Sequence, residues 1–229
     1  MNDKNLLITM INALEDPFNS DELQQKLKSG LVALELNLAD QAIKKLLRFI
    51  NELHHWNQAY SLTAIRDPLD MVARHLLDSL SATPFVIGEN ILDIGCGAGL
   101  PGIPLSLIHP NKQFYLLDSN KKKQLFVEHV CRKLNLTNVH PVQIRIENFN
   151  SEHQFDTIIC RALASLKDFA NMSTNLLNVS GQLVALKGKL PESEISSLPS
   201  SWNAEKIIPI RIPMLDGERN IVVIKPIKI

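Results

Sequence analysis

Cysteine is scarce in this 229-residue chain, where Cys96, Cys131 and Cys160 lie 35 and 29 residues apart with no Cys-x-x-Cys pair. An odd, widely spaced set suggests neither a disulfide framework nor a zinc site, so no metal is expected and a reducing, cytoplasmic setting is favoured. An excess of one charge is lacking too, since 24 Lys and Arg face 24 Asp and Glu. A protein that coats nucleic acid non-specifically carries a strongly basic footprint, so any nucleic-acid contact here must be a local patch. No apolar run approaches the roughly 18 residues that cross a bilayer, and Met1–Ile8 lacks a secretory cleavage pattern. The expectation is a chain neither exported nor embedded in a membrane. No internal repeat or low-complexity tract is visible. What remains is an ordinary globular composition, 45% apolar and 21% charged. A chain of this length buries roughly 70 to 75% of its unfolded surface, enough for one sizeable core without a staple.

The first 89 residues and the remaining 140 follow different periods. From Leu38 to Trp56, apolar residues recur at helical spacing (Ile43, Leu46, Leu47, Ile50, Leu53, Trp56) with Lys44, Lys45, Arg48 and Glu52 between them, which predicts an amphipathic helix. A second helix is expected from Asp67-Pro68, an N-cap acid and a first-turn proline, through Leu80, closed by Thr83-Pro84 and Gly88. Residues 1–36 read as a short helix near Leu6–Leu14, interrupted by Pro17, Asn19, Ser20 and Gly30. After Gly88, short apolar runs alternate with helical patterns. Strands are expected at Asn90–Ile94, Gln113–Leu117, Val139–Val142, Phe155–Cys160, Gln182–Leu186, Lys206–Ile212 and Ile221–Lys225. Helices fall near Ile103–Ile108, Lys121–Leu134, Leu166–Leu177 and Glu192–Leu198. This predicts an α/β, doubly wound, mostly parallel seven-stranded sheet. Its last two strands are joined too tightly for a helical crossover and form an antiparallel carboxy-terminal hairpin. Residues 1–89 are then an amino-terminal helical extension packed on a domain of residues 90–229.

The strongest local signal is Ile91–Gly102, an apolar strand running into four glycines and then a helix that Pro101 can begin. Glycine is needed where φ is positive or where a ligand lies against the backbone, so a ligand over this turn is expected beside the plainer reading of a tight strand-to-helix turn. Gly97–Gly102 satisfies G-x-G-x-x-G, the dinucleotide fingerprint, but in a register two residues late for the strand end. The tighter pattern is Asp-x-Gly-x-Gly-x-Gly from Asp93 to Gly99, which resembles the first motif of S-adenosylmethionine-dependent methyltransferases. That resemblance implies that Asp93 helps orient the methionine end and that Gly95, Gly97 and Gly99 admit the nucleoside. Phe114–Asp118 is a second strand ending in an acid 23 residues after Gly95. Asp118 can accept both ribose hydroxyls in the crevice beyond the strand ends, or cap the following helix, or do both.

From His54 onward the chain resembles the glucose-inhibited division protein B family, the small-subunit ribosomal RNA methyltransferases G. The segments that carry the resemblance are Trp56-Asn57, Tyr60–Thr63, Arg74–Ser79, Gly95–Pro104, Leu116–Ser119, Cys160–Ala162, Ala185–Gly188 and Leu215–Arg219. It implies methyl transfer from S-adenosyl-L-methionine to N7 of a guanine in small-subunit (16S) ribosomal RNA, free or in the 30S particle, on a Rossmann-like fold. It also implies cofactor contacts at Gly95, Leu100, Ile146, Glu147 and Arg161. Ile146 reads equally as core, and Arg161 as a solvent-facing cation or as a catalytic-site residue aimed at a carboxylate or phosphate. Ser61 stands where the family commonly has asparagine, and Asn220 where it often has histidine.

Guanine N7 carries a free lone pair at neutral pH, so displacement at the sulfonium methyl needs no general base and catalysis rests on positioning. The chain has Cys160-Arg-Ala-Leu163 after the fourth strand, not the Asn/Asp-Pro-Pro-aromatic of exocyclic amine methylation. Cys160 follows Ile159 and not the proline that often precedes the nucleophile of pyrimidine carbon methylation. Candidate RNA contacts are Arg74, His75, Lys187 and Lys189 at the crevice mouth, with His75 equally readable as a core histidine. The runs Lys121–Lys123 and Arg132-Lys133 read equally as solvated faces. The rival readings are a non-catalytic RNA-binding or regulatory module that keeps a nucleoside pocket, and an NAD-dependent oxidoreductase.

Overall fold

The computed structural model describes residues 21–162, 164–190 and 192–227. The short helix expected near Leu6–Leu14 lies outside them. Two helices open the described chain, α1 (Asp21–Ala33) and α2 (Asp40–Tyr60). Gly30 does not interrupt α1, as the sequence had suggested, but sits buried inside it. A β-carbon there would lie 2.2 Å from Leu77 Cδ1, so this glycine is explained by the close approach of two helices. The expected helix after Asp67 is present: Asp67 caps it by accepting the Leu69 N–H at 2.8 Å, with Pro68 in its first turn. It begins as α3 (Pro68–Met71), widens to a π-helical stretch over Val72–Leu77, and closes as α4 (Asp78–Leu80). Such widened turns cluster at functional sites.

The remaining elements are β1 (Asn90–Ile94), α5 (Gly102–Ile108), β2 (Gln113–Asp118), α6 (Lys121–Leu134), β3 (Val139–Gln143), β4 (Phe155–Arg161), α7 (Leu166–Ser173), β5 (Leu177–Lys187), α8 (Glu192–Ser196), β6 (Trp202–Pro209) and β7 (Asn220–Pro226). The seven strands form one sheet in the order β3-β2-β1-β4-β5-β7-β6. Strands β1 to β5 run parallel, and β7 lies antiparallel between β5 and β6, as the short final connection required. Helix α7 is shorter than its apolar pattern suggested. The Ser173 hydroxyl donates back to the Phe169 carbonyl and that of Thr174 to the Ala170 carbonyl, and Leu177 is recruited to pair with Phe155 of β4. Strand β6 starts four residues earlier than expected and ends three earlier, with buried Trp202 opposite Pro226 and Pro209 at its end.

Alternate residues of the strands feed two cores. Ile91, Phe114, Leu116, Ile159, Val184 and Ile221 pack against α1, α2, α5 and α6. Leu92, Ile94, Leu117, Ile158, Leu183 and Val222 pack against α7 and Trp202. The strand order reverses between β1 and β4, and their carboxyl ends, where ligands of open α/β sheets bind, come into register at Ile94 and Cys160. The amino-terminal helices lie beside this opening. Buried Asn57 of α2 accepts the Thr63 N–H at 2.9 Å and donates to the Ile65 carbonyl at 3.1 Å, which holds the 61–65 turn over the β1 end.

That turn starts at Ser61, which caps α2 in the left-handed region at φ 50°. Glycine and asparagine suit this position better than serine does. Ser61→Gly is therefore expected to stabilise the protein by about 0.5–1 kcal/mol in urea unfolding. A loss of stability would mean that the serine side chain holds the turn.

Candidate functional site

Two cavities open at the carboxyl end of the parallel strands and share Gly95 and Asp118. The larger, about 570 Å³, reaches from the glycine loop to Arg161, Lys187 and Arg219. The smaller, about 340 Å³, runs from the same ridge to Ile146, Glu147, Asp168 and Met172. Their junction is built by backbone: the N–H groups of Gly95 and Cys96 both reach the Leu117 carbonyl, at 2.8 and 3.0 Å, and draw the loop to the end of β2.

The four loop glycines have different reasons to be there. Gly95 (φ 70°) and Gly97 (φ 57°) line cavity walls. A β-carbon on Gly97 would meet nothing nearer than Lys123 Nζ at 3.8 Å, so it would project into the larger cavity. Gly99 lines neither cavity. A β-carbon there would lie 2.5 Å from Ile103 Cγ1, and one on Gly102 would lie 2.1 Å from Leu116 Cδ2. These last two glycines let α5 pack on the sheet. Leu100, buried, does line the larger cavity.

Asp93 also lines neither cavity. It is fully buried beneath the loop, where its Oδ2 accepts the Gly102 N–H at 2.8 Å and Oδ1 has no partner among the described residues. Burial pushes its carboxyl up to about 7, against the opposing pull of the Gly102 hydrogen bond and the Arg161 charge. Because the folded state holds this proton more tightly than the unfolded chain does, the stabilisation is full below the ordinary carboxylate range. It is lost as pH rises through about 7. Between pH 5 and 8 the ligand-free protein should lose on the order of 2 kcal/mol through this group, and Asp93→Asn should flatten that slope in urea titrations. An equally steep slope in the variant would assign the titration elsewhere.

Asp118 stands at the junction of the cavities. Its Oδ2 accepts the Gly97 N–H at 2.9 Å and its Oδ1 the Asn120 N–H at 2.8 Å. The cap of α6 is Asn120, which accepts from the Lys122 and Lys123 amides. Asp118 is thus free of the capping duty that the sequence left open. The remaining lone pairs of its carboxylate are available to a diol.

Arg161, at the end of β4, does not point freely into solvent. Its Nη1 donates to Asp78 Oδ2 at 3.1 Å and to the Arg74 carbonyl at 3.2 Å. The other Asp78 oxygen accepts from Arg219 Nε at 3.2 Å, so one carboxylate joins two guanidinium groups on the cavity wall. Arg74 and His75 line the same cavity. His75 is buried, its Nε2 lies 3.0 Å from Thr63 Oγ1, and burial together with the Arg161 charge lowers its pKa to about 4. The ring is neutral at pH 7 and offers hydrogen bonding, not charge. Lys187 lines the cavity but is committed within the fold, donating to Glu194 Oε2 at 2.7 Å and the Ala164 carbonyl at 2.8 Å. Lys189 falls outside both cavities, in a separate depression with Leu190, Glu218 and Arg219.

Ile146 and Glu147 form the far wall of the smaller cavity, and Ile146 also packs against the core. Cys160 is buried under the site and burial pushes its thiol well above the ordinary range, as it does for Cys96. Among the described residues no cluster of His, Cys, Asp or Glu can hold a metal ion, and no helix is long and apolar enough to cross a membrane. Sequence reasoning did not single out Asp78, Arg219 or Thr63. For Asp78 a signal existed, an acid between Leu77 and Leu80 in an otherwise apolar helix turn.

Asn220, where relatives were expected to carry histidine, is buried and donates to the Gly188 carbonyl at 2.8 Å, tying β7 to the loop after β5.

The GidB family, described as rRNA small subunit methyltransferase G, matches residues 42–222. The ribosomal RNA small subunit methyltransferase G of Escherichia fergusonii is 47% identical over 204 residues, covering 89% of this chain and 99% of that protein. The protein of the same name from Escherichia coli K12 is 46% identical over 194 residues, 85% of this chain and 94% of the relative. Among solved structures, the N-methyltransferase NodS of Bradyrhizobium japonicum, in complex with S-adenosyl-L-homocysteine, superimposes with a TM-score of 0.54 at 17% identity. It covers 75% of this chain and 100% of that one, a likeness of fold. The family match runs from α2 through the glycine loop and the Arg161–Asp78–Arg219 cluster to β7, and the chain belongs to the rRNA small subunit methyltransferase G family.

Proposed function

We propose that this protein transfers a methyl group from S-adenosyl-L-methionine to N7 of a guanine in small-subunit (16S) ribosomal RNA, free or within the 30S particle, in the cytoplasm. The observation that carries the proposal is the ridge of Gly95 and Asp118 between two cavities. A nucleoside with a methionine arm is two-lobed about its ribose, and such a ridge matches it. Asp118 would receive the ribose hydroxyls, Ile146 and Glu147 the adenine, and Gly95, Gly97 and Leu100 the backbone side of the ligand. Asp93 and Gly99 act from beneath, by fixing the loop and the α5 approach. The dinucleotide reading is disfavoured because the first α5 amide, Gly102 N–H, is already taken by Asp93 and not free for a pyrophosphate.

When bound, S-adenosylmethionine supplies a methyl group made electrophilic by its sulfonium. The protein's own residues then have no proton to move, because N7 attacks with a lone pair. They must hold guanine in line and exclude water. Arg161 stands at the mouth of the larger cavity for this positioning task, and neutral His75 with Thr63 offers hydrogen bonds to a base without adding charge. Arg74 would contact the RNA. Lys187 would serve chiefly to fix Ala164 and α8, and Lys189 would act only at the periphery. The assignment of residues 90–229 to a methyltransferase domain with an extension over residues 1–89 is supported by the position of the whole sheet after Gly88 and by the 61–65 turn, which the extension places over the site.

The test is transfer of tritiated methyl from S-adenosylmethionine to small-subunit particles and to naked 16S RNA from cells lacking the enzyme, followed by mapping of the modified base. A 7-methylguanine product is expected. Label on another position, or none with either substrate, would reject the proposal.

A further inference from the structure

Exposed aromatic surface is scarce in this protein. Among the described residues Tyr60, 48% exposed, is the only exposed Phe, Tyr or Trp, and it stands at the end of α2, where the chain turns toward the site. Leu62 and Thr63, two and three residues further on, already line the larger cavity, so the ring sits on the cavity rim. It is also held. Its centroid lies 5.3 Å from that of Trp56, one turn back, and Trp56 is wedged against His129 at 5.0 Å and Phe126 at 5.6 Å on α6. An i, i+4 aromatic pair steadies a helix by itself, but two neighbouring features call for a partner. The first is charge. Helices α2 and α6 run antiparallel here, since Glu52 meets His129 at 2.7 Å and Lys133 at 3.9 Å while Trp56 meets His129 and Phe126. One more turn along α2 therefore brings Tyr60 toward the first turn of α6, Lys121–Lys123, which carries no acid. Among the described residues no carboxylate pairs with these lysines. The second is Leu125, 45% exposed on the α6 surface between Lys122 and His129. An open ring face and an apolar side chain beside uncompensated cations are what an unstacked base and its phosphate recognise.

The reaction supplies such a base. Guanine N7 lies on the major-groove edge, and the major groove of A-form RNA is too deep and narrow for side chains to read, so the target must be unpaired and splayed from its neighbours. Each stack that is broken costs free energy, which a ring at the cavity rim can offset. We propose that Tyr60 is a stacking platform for an unpaired base next to the target guanine, with Lys122 contacting the phosphate of that nucleotide. This rests on the RNA methyltransferase reading above and adds the surface that holds the RNA open beside the cavity. Tyr60 lies outside both cavities, so it touches RNA and not the methyl donor. Trp56 is its positioning residue, fixing the inner face of the ring so that the outer face is presented.

Four variants test the platform, with unmethylated small-subunit particles as the kinetic substrate and a single-stranded 16S oligonucleotide and S-adenosylhomocysteine as binding probes. Tyr60→Ala is expected to raise the KM for particles and to weaken the oligonucleotide about 10-fold each, with the rate at saturating particles and the S-adenosylhomocysteine affinity within 3-fold of native. Tyr60→Phe, which keeps the ring, should restore both losses. Tyr60→Leu, which keeps apolar bulk without a flat face, should not. Stacking is neutral, so Tyr60→Ala should leave the slope of log affinity against log salt unchanged, whereas Lys122→Gln should lower it by about 0.7. If Tyr60→Ala lowers the saturating rate and leaves KM alone, the ring merely steadies the turn that carries Thr63, and the platform is wrong. A raised KM for particles with native oligonucleotide affinity would mean a ribosomal protein docks there, which also overturns the proposal. Native protein that methylates particles, with Tyr60→Ala indistinguishable from it, removes the platform alone. Native protein that transfers methyl to no RNA removes the functional reading itself. Should Tyr60→Ala fail to melt cooperatively, the comparison of Tyr60→Leu with Tyr60→Phe decides the outcome.

Discussion

Gly97→Val should weaken S-adenosylmethionine binding by at least about 100-fold, about 2.7 kcal/mol, in a protein that still folds. Two effects combine. The position has φ 57°, a left-handed conformation that a β-branched residue adopts only under strain of about 1–3 kcal/mol. The new side chain also enters the larger cavity, since Lys123 Nζ at 3.8 Å is the only neighbour a β-carbon would meet. The strain acts on a loop already anchored by the bonds from the Gly95 and Cys96 amides to Leu117 and from the Gly97 amide to Asp118, so it shifts the wall more than the core. Gly99→Ala is the control. Its β-carbon collides with Ile103 at 2.5 Å and reaches no cavity, so it should lower the melting temperature by several degrees while leaving ligand affinity within a few-fold. Isothermal titration of both variants with S-adenosylmethionine separates the cases. Native affinity in Gly97→Val would falsify the glycine loop as the floor of the nucleoside site.

That contrast marks how far the amino-acid sequence could be read. The loop was conspicuous because four of the chain's nine glycines fall within eight residues, yet the residue type alone could not say that two face a cavity while one packs against α5 and one against β2. The distinction depends on how α5 sits on β2, a tertiary fact. Secondary structure was legible where one face is apolar and the ends carry capping residues. Helix α6 begins after Asn120 and ends at Leu134, before left-handed Asn135, just where its pattern indicated. It was less legible in β6, an edge strand whose middle is exposed and where alternation carries little burial signal. Arg161 was legible as the charged end of an apolar strand. Its partners were not, because Asp78 and Arg219 lie 141 residues apart and meet only through the insertion of β7 between β5 and β6. The committed state of Lys187 was invisible for a different reason: Glu194 lies nearby in sequence, but on a helix too short to show a period.

Arg161→Ala should lower the turnover of RNA methylation about 100- to 1,000-fold with a smaller loss of S-adenosylmethionine affinity. N7 attacks with its own lone pair and needs neither acid nor base, so the rate depends on holding the base and methyl in line, and a displacement of about 1 Å can cost 100-fold. Arg161 is the single side chain that joins the β4 end to the Arg74 carbonyl and to Asp78. Its removal releases the π-helical stretch from the sheet on the side where the substrate enters. It also leaves Asp78 with only Arg219 as counter-charge. The ion pair is partly solvated, with Arg161 21% and Asp78 11% exposed, so the stability loss should stay below the roughly 3–5 kcal/mol of a fully buried pair. Arg161→Lys keeps the charge but supplies a point cation in place of a fork. It should recover affinity for RNA more than it recovers rate. Single-turnover methylation at saturating S-adenosylmethionine reads the rate, and its salt dependence reads the charge. If alanine leaves the single-turnover rate within 3-fold of native, Arg161 is scaffold, and the task of aligning guanine passes to Thr63 and His75, which line the same cavity.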